Sequence, residues 1–318
     1  MTFSSRTKNE ISKIIVAKKC CQLALLSALL KMTGTVQIHG VNKIGIRLST
    51  ENASIARMLF SLLKDRFKIN ARVVVRKSRH LNKNNNYILY IDSDSDSHEI
   101  LKATGILQEK DNGLKLNYRL PHYLIKRSCC RKAYLRGIFL GGGSLSDPEK
   151  TYHLELVTND ENFAEDIKEL MNQYELGAKV VMRKGNYVIY IKEGENIVNF
   201  LNIIGAHNAL LSLENIRIYK EMRNNVNRIV NCETANLDKT VNAALRQIEN
   251  IEYIRSTIGL DKLPAGLAEI AELRLEHREA TLKELGEMMS PEVGKSGVNH
   301  RLRKLDRIAE NLRDKRGE

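Results

Sequence analysis

Apolar positions recur twice in the same order along the first two thirds of the chain. Each copy opens on an apolar helix, predicted at 20–34 and at 129–143. Both helices end at a glycine, the residue that best tolerates a left-handed cap. Alternating apolar and polar positions then predict strands at 35–39 and 44–48 in the first copy and at 152–157 in the second.

The remainder of each copy matches even more closely. The matched segments are 52–67 with 161–174, 71–77 with 178–184, 87–91 with 187–191, and 100–107 with 197–205. One strand reads Ala71-Arg-Val-Val-Val-Arg-Lys77 in the first copy and Ala178-Lys-Val-Val-Met-Arg-Lys184 in the second. The order helix, two strands, helix, two strands, helix therefore appears twice.

This order predicts two α+β half-domains, each with a sheet that buries one face under helices and leaves the other face open. Two copies in one chain should pair about a pseudo-twofold axis, with their opening helices side by side. Small residues would let these two helices approach closely, at Ala24, Ala28, Gly137 and Gly141.

Beyond residue 219 the pattern becomes wholly helical. The polar, asparagine-rich segment 220–235 is interpreted as the end of a helix that grades into a linker. Apolar residues at three- and four-residue spacing predict amphipathic helices at 237–258 and 267–275, separated by the Pro- and Gly-containing segment 261–266.

The last part of the chain is typical of a helix-turn-helix. Thr281-Leu-Lys-Glu284 is a capping box, the short helix that it starts breaks at Ser290-Pro291, and Ser296 is placed to cap a second helix. The second helix carries an apolar stripe at Val298, Leu302, Leu305, Ala309 and Leu312. At about 100° per residue, its other face carries Ser296, Asn299, His300, Arg303, Lys304 and Arg307. The alternative is a plain helical hairpin with a solvated basic face.

The charge of the chain favours a polyanionic partner. Its formal net charge is +13 and its pI is near 9.4. Two long stretches, 66–91 and 112–146, contain basic residues and no acid. Among the charged residues of 261–292, acids outnumber bases. Residues 295–316, which form the helix that would enter a groove, carry eight bases and only three acids.

Composition excludes several other classes of protein. No apolar run approaches the roughly 20 residues of a membrane helix, and residues 1–12 do not resemble a signal peptide. Four of the five cysteines are adjacent pairs, Cys20-Cys21 and Cys129-Cys130. Because zinc sites usually space their ligands by two to four residues, we expect reduced thiols, no metal and no cofactor. We also expect a cytoplasmic, nucleoid-associated protein.

The two opening helices resemble the motif of LAGLIDADG homing endonucleases. The motif positions are occupied by Leu26-Ser-Ala-Leu-Leu-Lys-Met-Thr-Gly-Thr35 and Leu135-Arg-Gly-Ile-Phe-Leu-Gly-Gly-Gly-Ser144. The resemblance implies a metal-binding acid just before the final glycine, but Thr33 and Gly142 stand there. The other acidic position of the motif holds Lys31 and Leu140. A two-metal nuclease needs carboxylates, so we predict the fold without its cutting chemistry.

Endonucleases of this fold clamp a duplex on the open face of the sheet. The resemblance therefore implies phosphate contacts from the basic residues of the matched strands, which are Arg72, Arg76, Lys77, Lys179, Arg183 and Lys184. The alternative is that these are edge-strand charges that keep the protein soluble.

Nearly the whole chain resembles the WhiA proteins of Gram-positive bacteria. The resemblance rests on Phe3-Ser-Ser-Arg-Thr-Lys-Asn-Glu10, the paired Cys-Cys helices, Leu135 to Lys150 and Lys295-Ser-Gly-Val-Asn-His-Arg-Leu-Arg-Lys304. It implies a LAGLIDADG-like domain without nuclease activity joined to a helix-turn-helix similar to that of sigma-factor region four. It also implies a role in cell division and chromosome segregation. In sporulating relatives it implies a transcription factor that works with a small iron-sulfur protein.

The predicted fold is a duplicated α+β LAGLIDADG-like domain followed by an all-α helix-turn-helix domain. The predicted segments are a first repeat at 1–125, a second repeat at 126–222, a linker at 223–236 and a DNA-binding domain at 237–318, with the helix-turn-helix at 281–313. We expect a transcriptional regulator that binds specific sequences of double-stranded DNA. We expect it not to be an enzyme and to have no small-molecule substrate or membrane partner.

The residues predicted to bind DNA lie in or next to the helix-turn-helix. They are Thr281, Lys283, Lys295, Ser296, Gly297, Asn299, His300, Arg301, Arg303, Lys304, Arg307 and Arg313. Asn299 and His300 are expected to read base edges, and the basic residues further along to contact phosphates.

Two alternatives remain open. An active homing endonuclease would need an acid from elsewhere, and the only dense acidic cluster, Asp92, Asp94 and Asp96, is expected to form a solvated turn. An RNA-binding module is disfavoured by the 5% aromatic content and the absence of tryptophan, which leave few stacking platforms for bases.

Overall fold

The computed structural model describes residues 1–38, 44–77, 85–110 and 113–316. Residues 1–219 and 220–318 form two compact units. The last residue of the strand predicted at 35–39, His39, lies outside the described residues. Arg79 and Lys83 of the first acid-free stretch also lie outside them.

The first repeat follows a short helix, α1 (Phe3–Ile11), that the sequence analysis missed. Its elements are α2 (Lys19–Thr33), β1 (Gly34–Ile38), β2 (Ile44–Thr50), α3 (Ala53–Phe67), β3 (Arg72–Lys77), β4 (Asn85–Ile91) and α4 (Asp94–Ala103). The strands form an antiparallel sheet in the order β1-β2-β4-β3. A further hairpin, β5 (Leu107–Lys110) and β6 (Gly113–Leu116), was also not predicted.

The second repeat has the same order of elements. They are α5 (Ser128–Gly142), β7 (Gly143–Leu145), β8 (Leu154–Thr158), α6 (Glu161–Asn172), β9 (Lys179–Arg183), β10 (Asn186–Ile191) and α7 (Gly194–Ile204). Its sheet has the order β7-β8-β10-β9, the same as in the first repeat. The predicted α+β duplication is confirmed, and the buried side chains of both repeats join in one hydrophobic cluster.

The opening helices α2 and α5 pack closely because small residues line their interface, as predicted. A Cβ added to Gly137 would lie 2.6 Å from the Cβ of Ala28 and 2.7 Å from the carbonyl oxygen of Leu25. A Cβ added to Gly141 would lie 2.4 Å from the Cβ of Met32. The interface therefore has no room for a larger side chain at either glycine.

The glycines that end these helices serve a different purpose from the one predicted. Gly34 and Gly143 have φ values of −89° and −84°, in extended backbone, so the prediction of left-handed caps is wrong. A Cβ at Gly34 would lie 2.3 Å from the carbonyl oxygen of Leu30, and one at Gly143 would lie 2.7 Å from that of Phe139. Glycine is needed because a Cβ at either position would collide with the last turn of the preceding helix.

The acidic cluster after β4 also differs from its prediction. Asp94 and Asp96 lie in the first turn of α4, whose N-cap is Ser93, so the prediction of a solvated turn is wrong. Negative side chains at this position interact favourably with the positive end of the helix dipole.

The helix that leads into the second unit is far longer than predicted. Helix α8 runs from His207 to Thr257 without interruption, so the segment 223–236 is helical and does not grade into an irregular linker. All side chains from 221 to 240 are exposed. Because neither glycine nor proline occurs between Gly205 and Gly259, nothing in the sequence breaks the helix.

The second unit continues with α9 (Ala265–Glu276), α10 (Leu282–Glu287) and α11 (Lys295–Arg316). The end of α8 packs with these three helices in a separate hydrophobic cluster. Among the described residues, no helix is both long enough and apolar enough to cross a membrane.

Candidate nucleic-acid interface

The short helix α10 begins at the predicted capping box. The hydroxyl of Thr281 accepts a hydrogen bond from the amide of Glu284 at 3.3 Å, and the Glu284 carboxylate accepts one from the amide of Thr281 at 2.7 Å. These hydrogen bonds hold the pKa of Glu284 below its usual value. The cap therefore fixes where the first helix of the helix-turn-helix begins.

Backbone contacts set the angle between α10 and α11. The amide of Val293 donates to the carbonyl oxygen of Gly286 at 3.0 Å. A Cβ at Gly286 would lie 2.0 Å from the carbonyl oxygen of Val293, so the turn can pack against α10 only if this residue is glycine. The connection is thereby held close to the first helix.

The apolar stripe predicted for α11 is confirmed. Val298, Leu302, Leu305 and Ala309 are at most 1% exposed, and Leu312 is partly buried against the same cluster. The helix begins one residue before the predicted cap, however. Its first residue is Lys295, and the carbonyl of Gly294 accepts the amide of Val298, so Ser296 lies within the first turn and is not the cap.

Opposite the buried stripe, α11 presents a polar and basic face. We define the reading face as Ser296, His300, Arg303 and Arg307, which are all exposed. At about 100° per residue these four side chains fall within a narrow sector of the helix. Lys304 is exposed at one edge of this face, and Lys295 is exposed where the helix begins.

The two predicted contacts before α11 are also at the surface. Thr281 and Lys283 are exposed, but the hydroxyl of Thr281 is already the capping acceptor. Lys283 lies 3.5 Å from the carboxylate of Glu287, one helical turn along. An exposed ion pair of this kind is weak, so the lysine can exchange its carboxylate for a phosphate.

Four other predicted contact residues do not lie on the reading face. Arg301 is partly buried and donates from Nη1 to the carbonyl oxygen of Gly266 at 3.4 Å. The guanidinium of Arg313 stacks over the ring of Tyr253, 4.9 Å from its centroid. Asn299 is half-buried on the flank of the helix, and Gly297 packs against Val293.

These four residues lie off the reading face, and their contact with DNA stays a prediction. Helical periodicity assigns an angle to each side chain, but neighbouring helices determine which of the flanking residues are covered. The guanidinium groups of Arg301 and Arg313 instead contact Gly266 and Tyr253 in the same unit.

One acidic side chain of α11 is held away from the reading face. Asp306 accepts a hydrogen bond from Asn250 on α8 at 2.8 Å, and Arg246 lies 3.8 Å from its other oxygen. Its carboxylate thus belongs to the contact with α8. This arrangement reduces the repulsion that an approaching phosphate would meet on α11.

The first unit lacks the carboxylates of a nuclease where its two opening helices end. The hydroxyl of Thr33 donates to the carbonyl oxygen of Leu29 at 2.8 Å. A Cβ at Gly142 would lie 2.8 Å from the carbonyl oxygen of Val157 and 2.1 Å from Cε of Met32. The position of Gly142 therefore has no room even for the side chain of alanine.

Lys31, which stands at the other acidic position of the motif, makes contacts that hold the fold together. Its Nζ donates to the carbonyl oxygens of Asn117 and Arg119, and it lies 5.2 Å from the centroid of the Phe163 ring. Burial lowers the pKa of Lys31 to about 8. The lysine ties α2 to the segment between the repeats.

The open faces of the two sheets differ in charge. Side chains that are directly paired across antiparallel strands share a face, so Arg47 and Arg72 flank Tyr90 on the open face of the first sheet. At the equivalent places in the second sheet, Glu155 and Lys179 flank Tyr190. The first sheet is the more basic of the two.

The six residues predicted to contact phosphate do not all lie on the open faces, because side chains alternate between the two faces of a strand. Arg76 shares the open face with Arg72, and Arg183 shares that of the second sheet with Lys179. Lys77 is one residue further along β3 and points to the opposite face, and Lys184 lies in the turn after β9. Lys77 and Lys184 therefore lie off the open faces, and phosphate contact by any of the six residues stays a prediction.

Some arginines on the open faces already have acidic partners. Arg72 forms a 2.9 Å ion pair with Asp92, and Arg183 lies 3.7 Å from Glu155, which also contacts His153 at 2.6 Å. Sequence analysis missed Arg47, because its strand alternates without a second basic residue. The match between Arg47 and Glu155 in the two repeats becomes visible only from the strand register.

The second acid-free stretch, 112–146, contributes less free charge than its composition indicates. Arg119 binds the buried carboxylate of Asp166 through Nε at 2.9 Å and Nη2 at 2.7 Å. Arg136 donates from Nε to the carbonyl oxygen of Ile204 at 2.7 Å. These two arginines hold the first unit together and are not available to a phosphate backbone.

Comparison with known families decides what this combination of units represents. Three family models match the chain: the WhiA N-terminal LAGLIDADG-like domain at 19–107, the WhiA LAGLIDADG-like domain at 131–223 and the WhiA C-terminal HTH domain at 226–309. The chain belongs to the WhiA family. Its first unit is thus a duplicated LAGLIDADG-like domain, and its second contains the helix-turn-helix domain of WhiA proteins, as the sequence predicted.

The likeness to individual WhiA proteins extends over the whole chain. Relatives named "Probable cell division protein WhiA" in Alkaliphilus metalliredigens and Alkaliphilus oremlandii are each 56% identical over 315 residues, which is 99% of this chain. The match covers 99% and 98% of these relatives. A crystal structure of "full-length DUF199/WhiA from Thermatoga maritima" has a TM-score of 0.61 at 25% identity and covers 98% of this chain and 99% of that one.

Proposed function

We propose that the chain binds specific sequences of double-stranded DNA. Through this binding it regulates transcription in support of cell division and chromosome segregation. The observation that carries the proposal is the reading face of α11, where exposed Ser296, His300, Arg303 and Arg307 lie opposite the buried apolar stripe. The names of the relatives support a role in division. Action on the nucleoid and an iron-sulfur protein partner, which the family resemblance implies for some relatives, stay predictions.

The reading face has the arrangement that recognition in the major groove requires. Ser296 and His300 lie near the start of α11, where a recognition helix contacts base edges. Arg303 and Arg307 follow at intervals of three and four residues on the same face, where an arginine can pair with guanine or a phosphate. We infer that exposed Lys283 on α10 contacts the DNA backbone beside the groove.

The same helix would serve poorly as a platform for single strands. Single-stranded nucleic acid is held largely by aromatic side chains on which bases stack. The reading face contains one imidazole and no other ring. This composition favours a duplex over the RNA alternative.

Chromosomal occupancy tests the proposal most directly. Immunoprecipitation and sequencing of a tagged chain should yield discrete peaks upstream of genes, which an Arg303→Ala/Arg307→Ala variant at the same protein level should lose. Broad coverage that the variant retains would indicate an architectural protein that does not use this face. Enrichment of RNA in place of DNA would indicate the alternative.

We expect no cleavage of DNA by this chain. Plasmid incubated with the purified protein and Mg²⁺ or Mn²⁺ should remain intact, because neither Thr33 nor Gly142 supplies a carboxylate to hold a metal ion. A Thr33→Asp variant should also be inactive, since Gly142 cannot accept the second carboxylate without displacing the backbone at Val157. Metal-dependent cleavage that disappears on mutation of this chain would contradict the prediction.

We further expect the open face of the first sheet to contact phosphates. Replacing Arg47 and Arg76 with alanine should lower the slope of log affinity against log salt by about two units, because each lost phosphate contact removes roughly one. Fluorescence anisotropy with labelled duplex at several salt concentrations measures this slope.

The matched control removes the same charge from the covered side of the sheet. Arg57 and Lys64 are exposed on α3, which packs on the face opposite the open one. An Arg57→Ala/Lys64→Ala variant should retain the slope of the parent. Equal losses in both variants would mean that net charge alone acts, and an unchanged slope in both would mean that this sheet does not contact DNA.

A further inference from the structure

The first turns of α2 and α5 bring four cysteines together. Cys20 and Cys21 follow the first residue of α2, and Cys129 and Cys130 follow the first residue of α5. Their four Sγ atoms all lie within 4.8 Å of one another, and the two sulfurs of each pair are 4.0 Å apart. The cluster lies at the opposite ends of these helices from Thr33 and Gly142.

The pseudo-twofold relation between the repeats explains this cluster. Two adjacent thiols at the start of one helix meet two at the same place in its partner, so that Cys20 contacts Cys130 and Cys21 contacts Cys129. Cys21 and Cys130 are 6% and 3% exposed, whereas Cys20 and Cys129 are partly exposed. Ligand spacing along the chain could not indicate this arrangement, because the two pairs come from different repeats.

The separations suit one metal ion held by four sulfurs. In a tetrahedral site with Zn–S bonds of about 2.3 Å, the sulfurs lie about 3.8 Å apart. Four sulfurs in a tetrahedral arrangement with separations of 4.8 Å would each lie about 2.9 Å from their common centre. Each sulfur would therefore have to move about 0.6 Å toward the centre to reach the Zn–S bond length. Side-chain rotation at the helix ends can supply a movement of this size.

The surroundings of Cys20, one of the two partly exposed thiols, favour its thiolate form. The contact with Cys130 and, to a smaller extent, the Arg127 guanidinium lower the pKa of Cys20. The positive ends of two helix dipoles also favour negative sulfur. Burial raises the pKa of Cys130 to about 11 and raises the pKa of Cys21.

We propose that Cys20, Cys21, Cys129 and Cys130 bind one thiophilic divalent cation of the zinc class as a tetrathiolate that joins the two repeats. No open coordination position remains in such a site, so the metal is structural. Binding releases the protons of the thiols. Because the four ligands meet only when both repeats have folded and paired, the ion stabilises that paired state.

The test uses the full chain, purified under reducing conditions without a metal-affinity tag. Elemental analysis should find about one zinc per chain, and Co²⁺ added to the apo-protein should produce the visible bands and thiolate-to-metal charge transfer of a tetrahedral tetrathiolate. At free zinc one hundred times its dissociation constant, we expect the Tm to rise by about 5–10 °C.

The variants separate this cluster from the remaining cysteine. Cys20→Ser/Cys129→Ser removes the two partly exposed ligands, and the expected result is a loss of bound zinc and of the cobalt spectrum, with an unchanged circular dichroism spectrum. Cys232→Ser alters the exposed thiol of α8 and should behave as the parent. Buried Cys21 and Cys130 are left in place so that the core is not disturbed.

Three outcomes would overturn the proposal. The first is a parent chain that neither retains zinc nor takes up Co²⁺ while its four thiols are free by titration. The second is equal metal content in the parent and the Cys20→Ser/Cys129→Ser variant. The third is an intact mass that shows disulfides between the repeats under reducing purification, which would identify the cluster as a covalent crosslink.

Discussion

Replacing Arg303 and Arg307 together with alanine is expected to lower the affinity of the chain for its duplex target by at least about 30-fold. Each arginine at a base or phosphate contact contributes about 1–3 kcal/mol, and the salt slope should fall by roughly two units if both contact phosphates. Both side chains are exposed, so the core behind Val298, Leu302 and Leu305 should remain intact. Anisotropy titrations at several salt concentrations, with circular dichroism, measure the effect.

The control for this variant removes the same charge from α8. Arg223 and Arg228 are exposed on the long helix, away from the reading face. An Arg223→Ala/Arg228→Ala chain should bind within a few-fold of the parent. If it loses as much affinity as the α11 variant, net charge determines binding, and if neither loses affinity, the helix-turn-helix is not the DNA-binding element.

Replacing Gly137 with alanine is expected to destabilise the first unit by about 1–3 kcal/mol. Helix propensity alone predicts the opposite sign, because alanine in a helix interior is favoured over glycine by about 1 kcal/mol. Here the new Cβ would lie 2.6 Å from the Cβ of Ala28 and 2.7 Å from the carbonyl oxygen of Leu25. Neither neighbour can rotate away, so α2 and α5 must separate.

Urea unfolding followed by circular dichroism measures this destabilisation as a lower transition midpoint. Gly194→Ala is the matched control, because the nearest atoms to a Cβ at this helix position lie at 3.5 Å, an ordinary contact distance. Its stability should stay within about 0.5 kcal/mol of the parent. A Gly137→Ala chain as stable as the parent would show that the two helices are not closely packed.

The destabilisation also has a consequence for the tetrathiolate. The four cysteines lie on the same two helices, at their first turns. Separation of α2 and α5 at Gly137 should therefore weaken zinc binding, whereas Gly194→Ala should leave it unchanged. The stability of the first unit and its zinc content should therefore both depend on the packing of α2 against α5.

Periodicity along the chain determined most of the secondary structure. Seven residues in one strand of each repeat are identical or similar, and this match, with the paired Cys-Cys helices, was enough to predict the duplication and the α+β class. The capping box at Thr281 and the stripe from Val298 to Ala309 predicted where α10 and α11 begin within one or two residues. Such features are local, because a hydrogen-bonded cap or an apolar face depends on residues three or four apart.

The short elements and the long helix were harder to read from sequence. Strand β7 has three residues and hairpin β5–β6 has short strands, too few for an alternating pattern to stand out. The α8 residues from 221 to 240 are all exposed, and the apolar ones, Met222, Val226, Ile229, Val230 and Leu237, are interspersed with many polar residues. The absence of glycine and proline agrees with the continuity of the helix.

Tertiary structure alone decided which charged and reactive side chains are free. Arg119, Arg136, Arg301 and Arg313 look like their exposed neighbours in a count of charges, yet each binds a partner within its own unit. Cys20 and Cys21 are adjacent in sequence, but they meet Cys129 and Cys130 only because the repeats pair about a pseudo-twofold axis. The sequence by itself determined the repeats and the polar face of α11, since both follow from local periodicity. Contacts between distant segments determined which side chains can still bind DNA or metal, because burial and charge pairing depend on neighbours that no single stretch of sequence contains.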